Sequence, residues 1–352
     1  MDISTTLGRS SPLQRFLAFL RAHPILCLAI LTPGIPEYLS TSSSILNLGL
    51  NPVWFLLQLA INVGQYTGGA LLVREAVLRW HKGWGTTFLL GLAYGITEEG
   101  LGDNTLFNSN HGADGVLGSF GRFAGVNWVW STGVLSFHVI YSIGLPILLL
   151  GLALPATRGK SLLGRRGIVG AFLALAASTA IETAIVWQAF HFWMGTALLV
   201  GSLLTIGLLV VAAYLVPADF WRPTTERPLL TSLRTGTVGF LVFPVLFSLE
   251  YGVPLFGVPA FVVVGLELVF LWAVLESLRR GMGRANNEHA LVSLSVGFLL
   301  WQCVFGLVIH IPFVYNVPLV ALAVWFCVRL RRQYPPAPLN PPAGAWGTPE
   351  SL

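Results

Sequence analysis

Ten apolar stretches divide this chain, at 22–40, 53–73, 84–101, 128–154, 167–192, 195–217, 235–254, 257–278, 290–311 and 313–330, and nothing else in it narrows the possible folds as far. About 20 apolar residues in helical form cross a hydrocarbon layer of about 30 Å. That layer holds no water for backbone N–H and C=O groups, so such segments close their hydrogen bonds within helices. The expectation is an all-α, polytopic membrane helix bundle of about ten spans, with the lipid bilayer as its first partner. Charged residues are only 10% of the chain, against about 25% in soluble domains.

Lys and Arg resist translocation and therefore orient a bundle. With the N-terminus inside, Arg74, Arg79 and Lys82 join spans two and three, and Arg158, Lys160, Arg165 and Arg166 join four and five. Continued along the chain, every Lys and Arg except Arg122 falls on that side. Both termini are expected in the cytoplasm, with the plasma membrane as the location, and the net charge of +5 reflects topology without calling for nucleic acid. Arg9, Arg15 and Arg21 precede the first span with no small-x-small cleavage pattern after it, so that span is read as uncleaved. Cys27, Cys303 and Cys327 all fall in apolar runs and suggest packing.

Residues 1–332 read as one membrane domain. The remainder, 333–352, is Pro-rich without apolar periodicity and is expected to be a disordered cytoplasmic tail. The external loop near 102–127 is rich in Gly, Asn and Asp, which signals turns and a path able to serve as a lid.

Four spans each carry a carboxylate sixteen residues from a cation at the cytoplasmic end: Glu37 from Arg21, Glu98 from Lys82, Glu182 from Arg166 and Glu250 from Arg234. That distance is about 24 Å of helix, between the midplane and the far boundary. A charge in a membrane segment costs at least about 2.5 kcal/mol and marks a functional site by default.

The strongest local signal is the run from Tyr94 to Asn104, with Glu98 and Glu99 adjacent and Asp103 one turn on. Neighbouring helical residues point about 100° apart, so at least one of the two glutamates faces protein or water. Paired carboxylates repel when both ionise, which suits one of them to act as a base or proton carrier. His138 is expected near the midplane of span four, with Ser142 one turn along. His191 closes span five. Gln58, Asn62 and Gln65 form a polar stripe on span two, read either as helix-to-helix glue or as support for the carboxylates. Glu267, Gln302 and His310 are weaker candidates. Substrate or ion binding is assigned to Glu37, Gln58, Asn62, Asp103, Glu182 and Glu250. A divalent metal such as zinc is chemically possible on His138, His191 and Glu99, since catalytic zinc sites mix His and carboxylate. No HExxH, P-loop or GxSxG occurs.

A Glu-Glu pair on one helix, a His on the next and another His further on resembles the CAAX prenyl endopeptidase and bacteriocin-processing family of intramembrane proteases. The matching residues are Glu98 and Glu99, then His138, then His191. The resemblance implies a Glu-dependent hydrolase in which a Glu activates water. It covers spans three to five. No Arg follows the Glu pair, Val134 stands where the family has Phe, and Gly195 stands where it has Asn.

Two functions follow as expectations. The first is an intramembrane Glu/His-dependent hydrolase, a peptidase acting on a membrane-embedded or external substrate, with Glu98, Glu99, His138 and His191 as catalytic residues. The alternative is a proton- or cation-coupled transporter using the intramembrane carboxylates. A membrane chaperone whose acids hydrogen-bond internally is a third, blander reading.

Overall fold

The computed structural model describes residues 12–112, 115–284, 287–308 and 316–335. The tail from residue 336 onward and His310 lie outside the described residues. The described chain is helical almost throughout: α1 (Pro12–Ala22), α2 (Pro24–Leu39), α3 (Pro52–Arg79), α4 (84–102), α5 (Trp128–Ala153), α6 (Arg165–Phe190), α7 (Gly195–Leu215), α8 (Ser232–Phe256), α9 (Ala260–Gly281), α10 (Glu288–Val308) and α11 (Val317–Gln333).

Seven of these, α3 and α5 to α10, are long and apolar enough to cross a membrane, and α1 with α2 makes an eighth if the bent pair is one span. The count of about ten also drew on 84–101 and 313–330. The first ends in two glutamates and a glycine-rich turn, and the second yields only the 17 residues of α11, ending in Arg331 and Arg332. The first pair bends by 98° at His23. Pro24 supplies no N–H and pushes the preceding residue out of helical geometry, so the helix must restart there. Arg21 is therefore not on the axis of Glu37, and the sixteen-residue spacing between those two is not a helical depth.

α5 and α10 bury 61% of their most apolar stretch and α7 only 11%, which puts the former at the centre of the bundle and the latter on its rim. Leu204, Leu208, Leu215, Phe261 and Trp272 are exposed there, an apolar exterior of the kind lipid covers. α8 and α10 form the tightest pair. A Cβ on Gly239 would meet the Leu294 carbonyl at 2.5 Å, and one on Gly236 the Ser293 carbonyl at 3.2 Å. Without an apolar driving force between helices in lipid, such small residues give the backbone contact that holds them. Beside them Tyr141, Phe243 and Phe298 pack as one aromatic cluster with Leu246.

The cationic loops meet at one end. Arg74 donates to the carbonyls of Thr157 at 2.7 Å and Lys160 at 2.8 Å, and Arg79 to that of Leu163. Glu75, nearly inaccessible, accepts from the backbone of Leu162 at 2.6 Å and Leu163 at 3.2 Å. Lys82 donates to the Val216 carbonyl, Arg158 to Glu288, and Arg284 to Glu226.

The described part of the 102–127 loop is mostly turns, as its Gly, Asn and Asp content leads one to expect. It contains a short hairpin, Arg122–Phe123 against Val126–Asn127, turned by Ala124 and Gly125, both at positive φ as a two-residue hairpin turn requires. Arg122, the cation outside the charge pattern, donates to the carbonyls of Gly118 at 2.7 Å, Phe107 at 2.8 Å and Asn108 at 3.0 Å. Asn127 then caps α5 by accepting from the Trp130 N–H.

Candidate active site

Among the described residues five helices widen into a π-turn: Gly34–Leu39 in α2, Val63–Thr67 in α3, Ile96–Gly102 in α4, His138–Gly144 in α5 and Ser248–Gly252 in α8. These turns hold Glu37, then Gln65 and Tyr66, then Glu98 and Glu99, then His138, then Glu250. A π-turn bonds i to i+5 and re-aims the side chains around it, and such bulges concentrate at functional sites. Each contains or adjoins Gly or Pro, whose weak helix propensity makes the irregular turn less costly. The π-turn carbonyls of α2 find donors in Gln302, which reaches Ile35 at 3.2 Å, and Asn316, which reaches Leu39 at 2.9 Å.

His138 is 2% exposed and its Nε2 lies 2.8 Å from Glu99 Oε1 and 2.9 Å from Glu98 Oε2. Its Nδ1 is 2.9 Å from Ser142 Oγ, one turn along as the spacing predicts. Both glutamates reach the same nitrogen although regular helix would splay them, because they sit on the wider turn of α4. Glu99 gives its other oxygen to the hydroxyl of Thr105, which in turn accepts from Trp130 Nε1 at 3.1 Å. Glu98 Oε2 has the shared His138 Nε2 as its one close partner.

Glu98 Oε1 is tied to the next group by Tyr66, whose hydroxyl is 2.9 Å from it and 2.5 Å from Glu37 Oε1. One hydroxyl hydrogen is donated to one carboxylate at a time, so Tyr66 links the two groups by turning between them. Glu37 Oε2 accepts from Ser43 at 2.6 Å, and Ser43 Oγ accepts from Gln58 and Asn62, each at 3.0 Å. Gln65 donates to Glu182 Oε2 at 2.8 Å. All three amides of the polar stripe therefore serve the carboxylates, directly or through Ser43. Gly102 leaves the room in which Gln65 and Glu182 meet.

A cavity of about 480 Å³ gathers these groups. Glu37, Glu98, Glu99, Glu182 and Glu250 all line it with His138, and the loop after α4 contributes Asp103, Thr105 and His111. Asp103 Oδ1 and His111 Nε2 are 2.8 Å apart. Glu250 fits against Gly133, where any Cβ would occupy the place of its carboxylate. Glu267 is fully buried outside the cavity lining, with neither oxygen hydrogen-bonded.

His191 does not join the group expected of it. It ends α6 as a left-handed cap at φ 50°, exposed, with its ring edge-on to Trp187 at 6.0 Å. α6 reaches the cavity instead through Glu182, more than two turns earlier, with Ile185 and Val186. The donor atoms of Glu98, Glu99 and His138 lie within 4.8 Å of one another, a set able to meet at one ion such as zinc with a position left for water. Tyr66, Ser43, Thr105 and His111 are participants that sequence reasoning missed. Only Tyr66 carried a signal, one turn after Asn62 on the polar stripe. No protein-family model, curated protein or solved structure matches the chain.

Proposed function

We propose that the chain is an intramembrane Glu/His-dependent hydrolase in which Glu98 activates water and Glu99 holds His138 in place. The observation that carries this reading is the division of labour within the pair. Both oxygens of Glu99 are held, by His138 and Thr105, whereas Glu98 Oε2 has only the His138 Nε2 that it shares with Glu99, at 2.9 Å, and Glu98 lines the cavity. Glu98 takes a proton from water as the oxygen attacks a carbonyl carbon, and returns it to the leaving group as the tetrahedral intermediate collapses. The His138 Nε2–H and the Tyr66 hydroxyl are the nearby donors for the oxyanion. Zinc bound by Glu98, Glu99 and His138 would supply Lewis acidity at the same place. In this reading the cavity opens to the external face and both termini are cytoplasmic, because the cationic loops meet at the opposite end from His111. Impermeant thiol labelling tests the orientation: Ser109→Cys, exposed on the 102–127 loop, should react in intact cells and Asn340→Cys should not, and the reverse pattern refutes it.

The function is tested by comparing membrane peptides from cells expressing the wild-type chain, Glu98→Gln or Glu99→Gln, with folding verified by size-exclusion profile. Cleavage products present only with the wild type support the proposal. Identical peptide sets from equally folded proteins refute it. Transport is the second reading, favoured by the convergence of acids from α2, α4, α6 and α8 on one cavity. Proton or cation flux in proteoliposomes that disappears in Glu182→Gln would support it.

A further inference from the structure

We infer that Glu250 forms an onium subsite, and that the molecule entering this cavity carries an organic ammonium group on an apolar body. The inference starts from charge. The lining contains Glu37, Glu98, Glu99, Asp103, Glu182 and Glu250, and neither Lys nor Arg. The first five have partners in the chain: Tyr66, Ser43, His138, Thr105, His111 and Gln65. Glu250 has none at Oε1, which packs against Gly133, although the residue is 3% exposed and lines the cavity with Gly133. A buried carboxylate oxygen without donors is costly, and a cation brought by the ligand removes that cost.

The surroundings choose the kind of cation. Trp54, Trp130, Phe137, Phe243, Phe247 and Phe305 supply aromatic walls, with Phe247 and Phe305 stacked at 5.2 Å between centroids. Rings of this kind attract an ammonium through their faces, best when it is desolvated. A bare divalent ion would want several oxygen or nitrogen ligands at one point, and the cluster of three such groups among the described residues, Glu98, Glu99 and His138, does not include Glu250. A volume of about 480 Å³ is also that of an organic molecule rather than an ion. Gly133 fits the same logic, since its missing side chain is what lets the Glu250 carboxylate reach the wall. The subsite rests on the hydrolase proposal for the fate of the molecule, but not for its binding.

Benzyltrimethylammonium and neopentylbenzene, its uncharged isostere, separate charge from shape. Calorimetric titration of the purified full-length protein should give at least about tenfold tighter binding of the cation. In Glu250→Gln the preference should fall below about threefold while the neutral compound still binds. Glu250→Asp should keep part of it, and serves if the Gln variant does not fold. Glu98→Gln should bind the cation as the wild type does and lack turnover, so loss of turnover alone bears on the hydrolase and loss of cation preference alone on the subsite. Repeating the titration in nanodiscs of choline-headed lipid and of uncharged glycolipid identifies the source. Weaker binding in the former assigns the onium to a lipid headgroup, and equal binding to a free molecule. Equal affinity of the wild type for the charged and neutral probes, or binding of neither, overturns the inference.

Discussion

Tyr66 is the one side chain that joins the α2 carboxylate to the α4 pair, and its removal is the most informative perturbation of the site. Tyr66→Phe deletes a hydroxyl 2.5 Å from Glu37 and 2.9 Å from Glu98 while keeping the ring that packs against Tyr94 and His138. Hydrogen bonds between membrane helices average about 0.6 kcal/mol and reach about 1.7. Those to charged groups are worth about 1.5–3 kcal/mol. Two such bonds at buried carboxyls put the single substitution at about 2–3 kcal/mol of destabilisation. The bond to Glu37 is isolated by a double-mutant cycle of Tyr66→Phe and Glu37→Gln, read by unfolding in mixed micelles with increasing sodium dodecyl sulfate. The expected coupling is about 1.5 kcal/mol. Additivity within about 0.3 kcal/mol would mean that the hydroxyl does not connect the two groups, and the shared network would then be rejected.

Arg122→Ala should leave the helices intact and loosen the 102–127 loop, because three carbonyls lose their donor. Faster amide hydrogen exchange confined to that loop is the expected readout, and unchanged exchange would show that Arg122 does not hold it. His191→Ala should leave turnover within about twofold of wild type, whereas His138→Ala should lower it at least about 100-fold, the scale of acid–base participation. A large loss at His191 would contradict its place on the exposed end of α6. Dialysis against a zinc chelator should leave activity unchanged, since a general base at Glu98 takes the proton from water without a metal. Loss restored by added zinc would show instead that the three side chains serve as ligands.

Apolar length and the absence of backbone partners in lipid made a helical bundle legible before any coordinates. The spacing singled out Glu37, Glu98, Glu182 and Glu250, and the four line one cavity. For Glu37 the spacing is not a depth, since the break at Pro24 takes Arg21 off the axis of α2. The π-turns were not legible. Their extra residue changes the direction of Glu98 and Glu99, and a regular 100° rotation per residue could not foresee that both would reach one imidazole nitrogen. His191 was chosen for its residue type and order, but a left-handed cap turns it away from the cavity. Ser43 and Thr105 are contributed by segments just outside the helices, where apolar periodicity says nothing. The single-residue openings at Gly102 and Gly133 follow from close approach between helices far apart in sequence, which one chain read linearly does not display.

The central claim is that Glu98, Glu99 and His138 act as one catalytic unit on a molecule in the cavity. Turnover of a cleavage substrate by Glu98→Gln, Glu99→Gln, His138→Asn and the triple variant tests it most directly. Groups that work as a unit fail together, so each single substitution should lose about as much activity as the triple. Losses that are small individually and multiply to the triple's value would contradict the account.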